Sequence, residues 1–295
     1  MATTITDARQ RSAWRVRDPW LKKTTRRRIL KPGVILGFLL LLVMDLPILW
    51  MILTSFHSEN SLFSGSITGL FRRFSIGGYG VLPSFIRYVL NSLIICGAGT
   101  LAVVLVACVS GYSLARTEFR GRNALLAVLA SALVIPYVVL SVPVYVGYLK
   151  LHLLNSYFGL ILGYVGVSTP VTTLLMVTYY RNFPRELEEA AVVDGARIGT
   201  IIGRVVVPNS LPGVTVCATY AFVTMWQDFL LAAVVMSSPS KYTLPVGLAG
   251  LFGQYTTAWN SVMAVSAVSV VPSLILFLVM QRRLTSGLMS GAVRG

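Results

Sequence analysis

Six long apolar runs, separated by short polar connections, decide the class of fold open to this sequence. A helix that crosses a bilayer needs about 20 mostly apolar residues, whereas strands of a membrane barrel alternate over about 10. Each run is long enough for a helix, so the sequence predicts an all-α integral membrane protein with six transmembrane helices. The runs cover roughly residues 33–54, 88–112, 124–148, 159–180, 211–236 and 257–281.

Composition agrees with a membrane protein and argues against two other classes. Hydrophobic residues make up 55% and charged residues 12% of the chain, whereas soluble domains carry about 25% charged residues. The net charge of +15 does not indicate nucleic-acid binding, because the basic residues lie between apolar runs. Cys96, Cys108 and Cys217 lie within apolar runs without metal-type spacing, so we expect no metal site.

The distribution of basic residues predicts the orientation. Of the 25 Lys and Arg residues, 20 lie before the first run, in the second and fourth connections, or after the sixth run. Positively charged connections stay in the cytoplasm, so we expect both termini there, in a multi-pass membrane protein. The chain then divides into a basic cytoplasmic segment (1–32), a transmembrane domain (33–281) and a cytoplasmic tail (282–295).

The longest predicted cytoplasmic connection, at about 181–210 between the fourth and fifth runs, carries two helix patterns. Acidic residues follow Pro184, as they do in a first helical turn, and Gly195 suits the left-handed turn that ends a helix. A second helix has an apolar face and is predicted to stop at Pro208. Two interpretations stay open from this pattern: an amphipathic linker on the bilayer, or a helix that docks into a partner's groove. The predicted apolar face of the second helix consists of Ile198, Ile201, Ile202 and Val205.

The residues of this connection also carry a family signature. The spacing from Glu189-Ala190-Ala191 through Asp194-Gly195 to Val207-Pro208 resembles the Glu-Ala-Ala loop of bacterial ATP-binding-cassette (ABC) import permeases. Trp226-Gln227-Asp228-Phe229 is similar to that family's Trp-Asn-Glu/Asp-Phe, and Gly111–Arg116 and the end of the chain resemble its carbohydrate branch, in particular the maltose-transporter-like second permease.

The resemblance implies a transporter subunit of the bacterial inner (cytoplasmic) cell membrane rather than an enzyme. Its expected partners are a second permease, a pair of ATP-binding subunits that hold ATP and Mg²⁺, and an extracytoplasmic solute-binding protein. No Gly-x-x-x-x-Gly-Lys-Ser/Thr sequence occurs in the chain, so we expect it to bind no nucleotide cofactor itself. The residues implied to couple the chain to the ATPase are Glu189, Ala190, Ala191, Asp194, Gly195 and Pro208.

Two acids within the apolar runs, Asp45 and Asp228, support a rival hypothesis. Intramembrane acids usually face a protein interior or a water-filled path, so an ion-coupled secondary carrier is the alternative to an ABC permease. The favoured interpretation gives Asp228 a hydrogen bond between subunits or toward cargo and leaves the role of Asp45 open. The cargo expected from the resemblance is a carbohydrate, an oligosaccharide or disaccharide, with a glycerophosphodiester also open. Residues predicted to line its path, or else to pack between helices, are Asn91, Tyr164, Gln227 and Asp228.

Overall fold

A computed structural model describes residues 32–59, 74–253 and 257–292 of the chain. Side chains are not described for residue 32 and for residues 282–292. Regular secondary structure in the described ranges is helical, with isolated bridges at His57–Phe74 and Phe252–Thr257. The predicted basic segment, 1–32, lies outside the described residues except for Pro32.

The chain divides after Pro47 into two compact units. The described part of the first unit is the beginning of helix α1, on which Asp45 is exposed. The second unit holds the end of α1 and all later helices. The helices are α1 (Pro32–Ser55), α2 (Leu82–Arg116), α3 (Arg122–Ala132), α4 (Tyr137–Lys150), α5 (Tyr157–Asn182), α6 (Glu186–Val193), α7 (Ile198–Asn209), α8 (Leu211–Trp226), α9 (Leu230–Val235), α10 (Leu244–Ala249) and α11 (Trp259–Ala292).

Four described helices, α1, α2, α5 and α11, are long and apolar enough to cross a membrane. The number rises to six if α3 with α4 and α7 with α8 each form one bent span, with bends of 103° and 67°. The third predicted run is therefore not a continuous helix. Its break lies between Ala132 and Tyr137, because Pro136 disfavours helical geometry in the residue before it and lacks an N–H donor.

The fifth predicted run is also divided into two helices, and α7, the helix before it, ends later than expected. Helix α8 ends at Trp226, residues 227–229 are not helical, and α9 follows. The predicted stop at Pro208 was early, because α7 continues through it to Asn209. A π-helical turn, Ile202–Val206, precedes this proline; such a turn departs from the usual hydrogen-bond pattern and accommodates a residue without an N–H.

The predicted tail, 282–295, begins inside a helix. Helix α11 runs on from the apolar part that ends at Gln281 to Ala292. Residues 293–295 lie outside the described residues. The sixth apolar run therefore forms only the first part of a longer helix.

The core of the second unit consists of two apolar clusters. The larger joins α2, α5, α8 and α9 through residues such as Ile95, Leu160 and Val235, all less than 2% exposed. The smaller cluster, which includes Ala107, Met176 and Cys217, extends to α7. Helices α2, α5 and α8 therefore form the frame on which the candidate site is built.

Candidate functional site

The segment with the family signature, residues 186–209, is here called the Glu-Ala-Ala segment. Its first helix, α6, carries Glu186, Glu188 and Glu189 in the first turn, where carboxylates stabilise the positive end of the helix dipole. This confirms the helix expected after Pro184. The helix ends at Val193, and Asp194 follows as its C-cap, with its N–H donating to the Ala190 carbonyl over 3.0 Å.

Gly195 makes the predicted turn between the two helices of this segment. Its φ of +76° lies in the left-handed region, which costs a residue with a Cβ about 1–2 kcal/mol. The N–H groups of Gly195 and Ala196 donate to the Val192 and Ala191 carbonyls over 2.9 and 3.0 Å, so the turn closes the end of α6. Helix α7 then begins at Ile198.

One side of the Glu-Ala-Ala segment is attached to the smaller core cluster. Ala191 and Ala196 pack against it, and Ile201 and Val206 belong to it. The predicted apolar face of α7 was only partly right, because Ile198 is 72% exposed. The π-helical turn accounts for a second difference further along: it holds an extra residue per turn, so the buried position after Ile201 moves to Val206.

The opposite side of the segment is open. Of the six residues expected to couple to an ATPase, Ala191 is half-buried and the other five are exposed. Val193, 87% exposed, and Ile198 flank the turn at Gly195 with apolar surface. The segment therefore presents a hydrogen-bonded bend with acidic, small and apolar side chains, the kind of surface that fits a groove on another protein.

Glu188 ties α6 to the end of α2, a contact that the sequence patterns did not reveal. Its Oε1 lies 2.8 Å from Arg116 Nη2 and accepts from Arg116 Nε over 2.9 Å, and its Oε2 accepts from the Tyr112 hydroxyl over 2.9 Å. Arg116 Nη2 also donates to the Phe183 carbonyl over 2.8 Å. Within the described ranges this is the one salt bridge. The neighbours Glu188 and Glu189 thus differ, because the second is exposed.

A second candidate site is a cavity of about 500 Å³ beside the break between α8 and α9, here called the Asp228 cavity. It contains three of the four residues predicted to line a cargo path, namely Tyr164, Gln227 and Asp228. Its other lining residues are Tyr137, Val138, Val167, Ser168, Tyr220, Thr224, Met225, Phe229 and Leu230.

Asp228 joins three of the elements around this cavity. Its Oδ2 accepts from the Tyr164 hydroxyl over 3.0 Å and from the Ala232 N–H over 3.2 Å, and the Tyr137 hydroxyl also interacts with the carboxylate. The Ala232 contact satisfies a free donor at the start of α9, as a capping aspartate does. Tyr137 was missed from the sequence, because only the break at Pro136 brings the start of α4 to this wall.

Asn91, the fourth predicted lining residue, lies elsewhere. Its Nδ2 donates to the Ser240 and Tyr242 carbonyls over 3.1 and 2.9 Å, and its Oδ1 accepts from the Tyr157 hydroxyl over 2.7 Å. The neighbouring Ser92 Oγ accepts from the Leu244 N–H over 2.8 Å. The Asn91 amide therefore joins α2 to the start of α5 and to the connection between α9 and α10. This is the packing role that the sequence left open for Asn91.

Comparison with protein families identifies the class of the chain. Residues 104–289 match the model of the binding-protein-dependent transport system inner membrane component family. The chain belongs to this family. Similar members include the sulfoquinovosyl glycerol transport system permease of Agrobacterium fabrum, 35% identical over 90% of this chain and 94% of that protein. The trehalose/maltose transport system permease of Thermococcus litoralis is 31% identical over 93% of this chain and 100% of that protein.

The fold also matches a solved transporter. A crystal structure of a bacterial ABC transporter involved in the import of the acidic polysaccharide alginate aligns with a TM-score of 0.72 and 21% identity. The match covers 85% of this chain and 94% of that one. The protein is thus an inner-membrane permease subunit of the ABC transporter class and has the ABC permease fold. In the described ranges no group of three His, Cys, Asp or Glu side chains is placed to hold a metal ion.

Proposed function

We propose that this permease is one of two membrane subunits of an ATP-driven importer and that the Glu-Ala-Ala segment docks on a separate ATPase subunit. The observation that carries the proposal is the exposed bend at Gly195, which joins two helices anchored to the core on their other side. A phosphate-binding loop is missing from the sequence, so hydrolysis of MgATP belongs to the partner. Because the family is described as binding-protein-dependent, the third kind of partner is an extracytoplasmic solute-binding protein.

The proposed topology has six spans, with the two bent pairs counted as one span each and both termini in the cytoplasm. The Glu-Ala-Ala segment then lies on the side of the ATPase. Glu189 faces a basic group of the partner, and Ala190 allows its backbone to approach closely. When ATP closes the paired ATPase subunits, the docked segment moves with them and the spans change from inward- to outward-facing.

For the cargo, we propose a carbohydrate, an oligosaccharide or disaccharide, that passes the Asp228 cavity. The similar proteins named above transport sulfoquinovosyl glycerol and trehalose or maltose. The cavity offers Tyr137, Tyr164 and Tyr220 as aromatic and hydroxyl groups, a combination of flat apolar faces and hydrogen-bonding groups that fits sugar rings. Its volume is in the range of small-molecule sites, about 300–1,000 Å³.

Reconstitution tests this proposal. The permease is placed in liposomes with the second permease and the ATPase subunits proposed to assemble with it. The loaded binding protein is outside and MgATP inside. We expect uptake of labelled maltose or trehalose that requires both ATP and the binding protein and continues when a protonophore collapses the proton gradient. A catalytically inactive ATPase is the control. Uptake that follows an imposed ion gradient without ATP would instead establish the secondary-carrier alternative with Asp45 and Asp228.

A further inference from the structure

We propose that Arg116 is a positioning residue that transmits the movement of α6 to α2 through Glu188. The inference rests on the proposed function, because α6 moves only if the Glu-Ala-Ala segment docks on an ATPase. It concerns a contact inside this chain, whereas docking concerns the exposed side of the same segment. Adjacent acids then have separate roles: Glu188 faces inward to the permease and Glu189 faces the partner.

The geometry of the contact fits transmission better than stabilisation. The side chains of Arg116 and Glu188 are only 7% and 16% exposed. For a pair this deeply buried, the cost of removing both charges from water offsets much of their attraction, so the net gain in stability is small. The hydrogen bonds are directional instead, since Arg116 uses two nitrogens on Glu188 and one of them also on Phe183. A planar guanidinium held in this way fixes the position of α6 relative to α2.

Arg116 is the last residue of α2, a helix of 35 residues, and this helix leads to the Asp228 cavity. Near its middle, Gly99 lies so close to α8 that a Cβ there would be 2.8 Å from the Met225 sulfur. Met225 lines the Asp228 cavity. A displacement of the Arg116 end of α2 therefore reaches a wall of the cavity through a helix and one packed contact, without a flexible connection.

Besides the Glu188–Arg116 contact, the end of α6 has a second, non-directional attachment to the core, which makes the proposal testable. The Ala191 side chain packs on the smaller core cluster by apolar contact. Removing the arginine leaves the Glu188 carboxylate buried without its charge partner, which destabilises this contact and loosens the directional connection to α2. The packing of Ala191 should still keep the segment in place and free for docking. Tyr112 adds a single hydrogen bond to Glu188, so its loss should have a smaller effect than loss of the ion pair.

The experiment compares variants of the complete transporter in proteoliposomes. Arg116→Ala, Arg116→Lys, Glu188→Gln and Tyr112→Phe are measured beside the matched controls Arg120→Ala and Glu118→Gln, whose side chains are exposed near the same helix end. The readouts are recovery of the assembled complex, ATP hydrolysis with and without loaded binding protein, and cargo taken up per ATP. For Arg116→Ala we expect assembly and basal hydrolysis to persist while cargo per ATP falls about tenfold, in the usual range of coupling between sites.

The graded variants separate transmission from a structural role. Arg116→Lys keeps the charge and should recover part of the cargo taken up per ATP. Tyr112→Phe should change this ratio little, and both controls should have the wild-type ratio. A wild-type ratio in Arg116→Ala overturns the proposal. So does poor assembly combined with a normal ratio in the complexes that form, because the contact is then structural. A wild-type transporter that fails to use ATP contradicts the proposed function itself, a distinct result.

Discussion

Gly111 of α2 lies directly against Met176 of α5: a Cβ built on the glycine would be 2.5 Å from the Met176 Cβ. We predict that Gly111→Ala destabilises the chain by about 1–3 kcal/mol, the usual cost of overpacking. Thermal unfolding of the detergent-solubilised protein, followed by size-exclusion chromatography, measures the effect. Gly97→Ala on the same helix is the control, because a Cβ there meets nothing within 4 Å. Equal melting temperatures for the two variants would contradict the close approach.

Asn91 gives a test of packing against cargo contact. Asn91→Ala removes both donors to the Ser240 and Tyr242 carbonyls, and each acceptor left unsatisfied costs roughly 1–3 kcal/mol. We expect a lower melting temperature and less protein in the membrane, with an unchanged KM for uptake by the molecules that remain. Tyr157→Phe, which loses one bond to the same amide, should show a smaller loss of stability. A raised KM at normal stability would return Asn91 to the cargo path.

Tyr164 is expected to act on cargo. Tyr164 lines the cavity and its hydroxyl donates to Asp228, so the hydroxyl oxygen keeps lone pairs that can accept from a sugar hydroxyl. Tyr164→Phe should raise the KM for uptake about tenfold, equal to one lost hydrogen bond. Tyr145→Phe, an exposed tyrosine of α4, should leave the KM unchanged. The measurement is initial uptake rate against cargo concentration, and an unaltered KM in Tyr164→Phe would remove this side chain from the path.

The turn at Gly195 gives a test of docking. A Cβ at this position meets no atom within 4 Å, so within this chain Gly195→Val acts through backbone strain, about 1–2 kcal/mol or more for a branched residue. We expect a membrane-inserted permease whose uptake no longer follows ATP hydrolysis. Gly199→Val is the matched control, since Gly199 has open space and no left-handed φ. Normal uptake in Gly195→Val would refute the role of the bend as a lever.

Accessibility of single cysteines tests the proposed orientation. In a variant without Cys96, Cys108 and Cys217, Val193→Cys and Leu151→Cys place thiols at side chains that are 87% and 67% exposed. The topology puts Val193 inside the cell and Leu151 outside. A membrane-impermeant maleimide should therefore label Val193→Cys only in inverted vesicles and Leu151→Cys only in right-side-out vesicles. Labelling of both from the same side would exclude the six-span arrangement.

The features that followed from sequence are those with a local physical cause. The acidic first turn of α6 and the left-handed Gly195 depend on the helix dipole and on backbone sterics, so the residue types alone indicate them. The ends of α1 and α5 lie within two residues of the predicted runs, because apolar length is a direct signal of a membrane helix.

The features that were missed depend on contacts distant in the sequence. Hydropathy does not distinguish one straight span from two helices that meet at 103°, as α3 and α4 do. Tyr137 reaches the cavity only because of that bend, and the sequence left Asn91 open between the cargo path and helix packing because its carbonyl partners lie about 150 residues away. Likewise, the spacing within a motif did not indicate which of two adjacent glutamates faces Arg116.

The π-helical turn at Ile202–Val206 has a consequence for how this chain tolerates changes in length. The Val207 N–H donates to the Ile202 carbonyl, five residues back, so this turn holds one residue more than an α-helical turn needs. A one-residue deletion here would restore α-helical pairing, except at Pro208, which has no N–H to donate, and would leave both ends of the segment in place. The same deletion within α5 would rotate every later side chain by about 100° around the helix axis. Between Gly195 and α8, where the anchored end of the bend meets the membrane helices, the chain therefore has one residue more than a continuous α-helix would need.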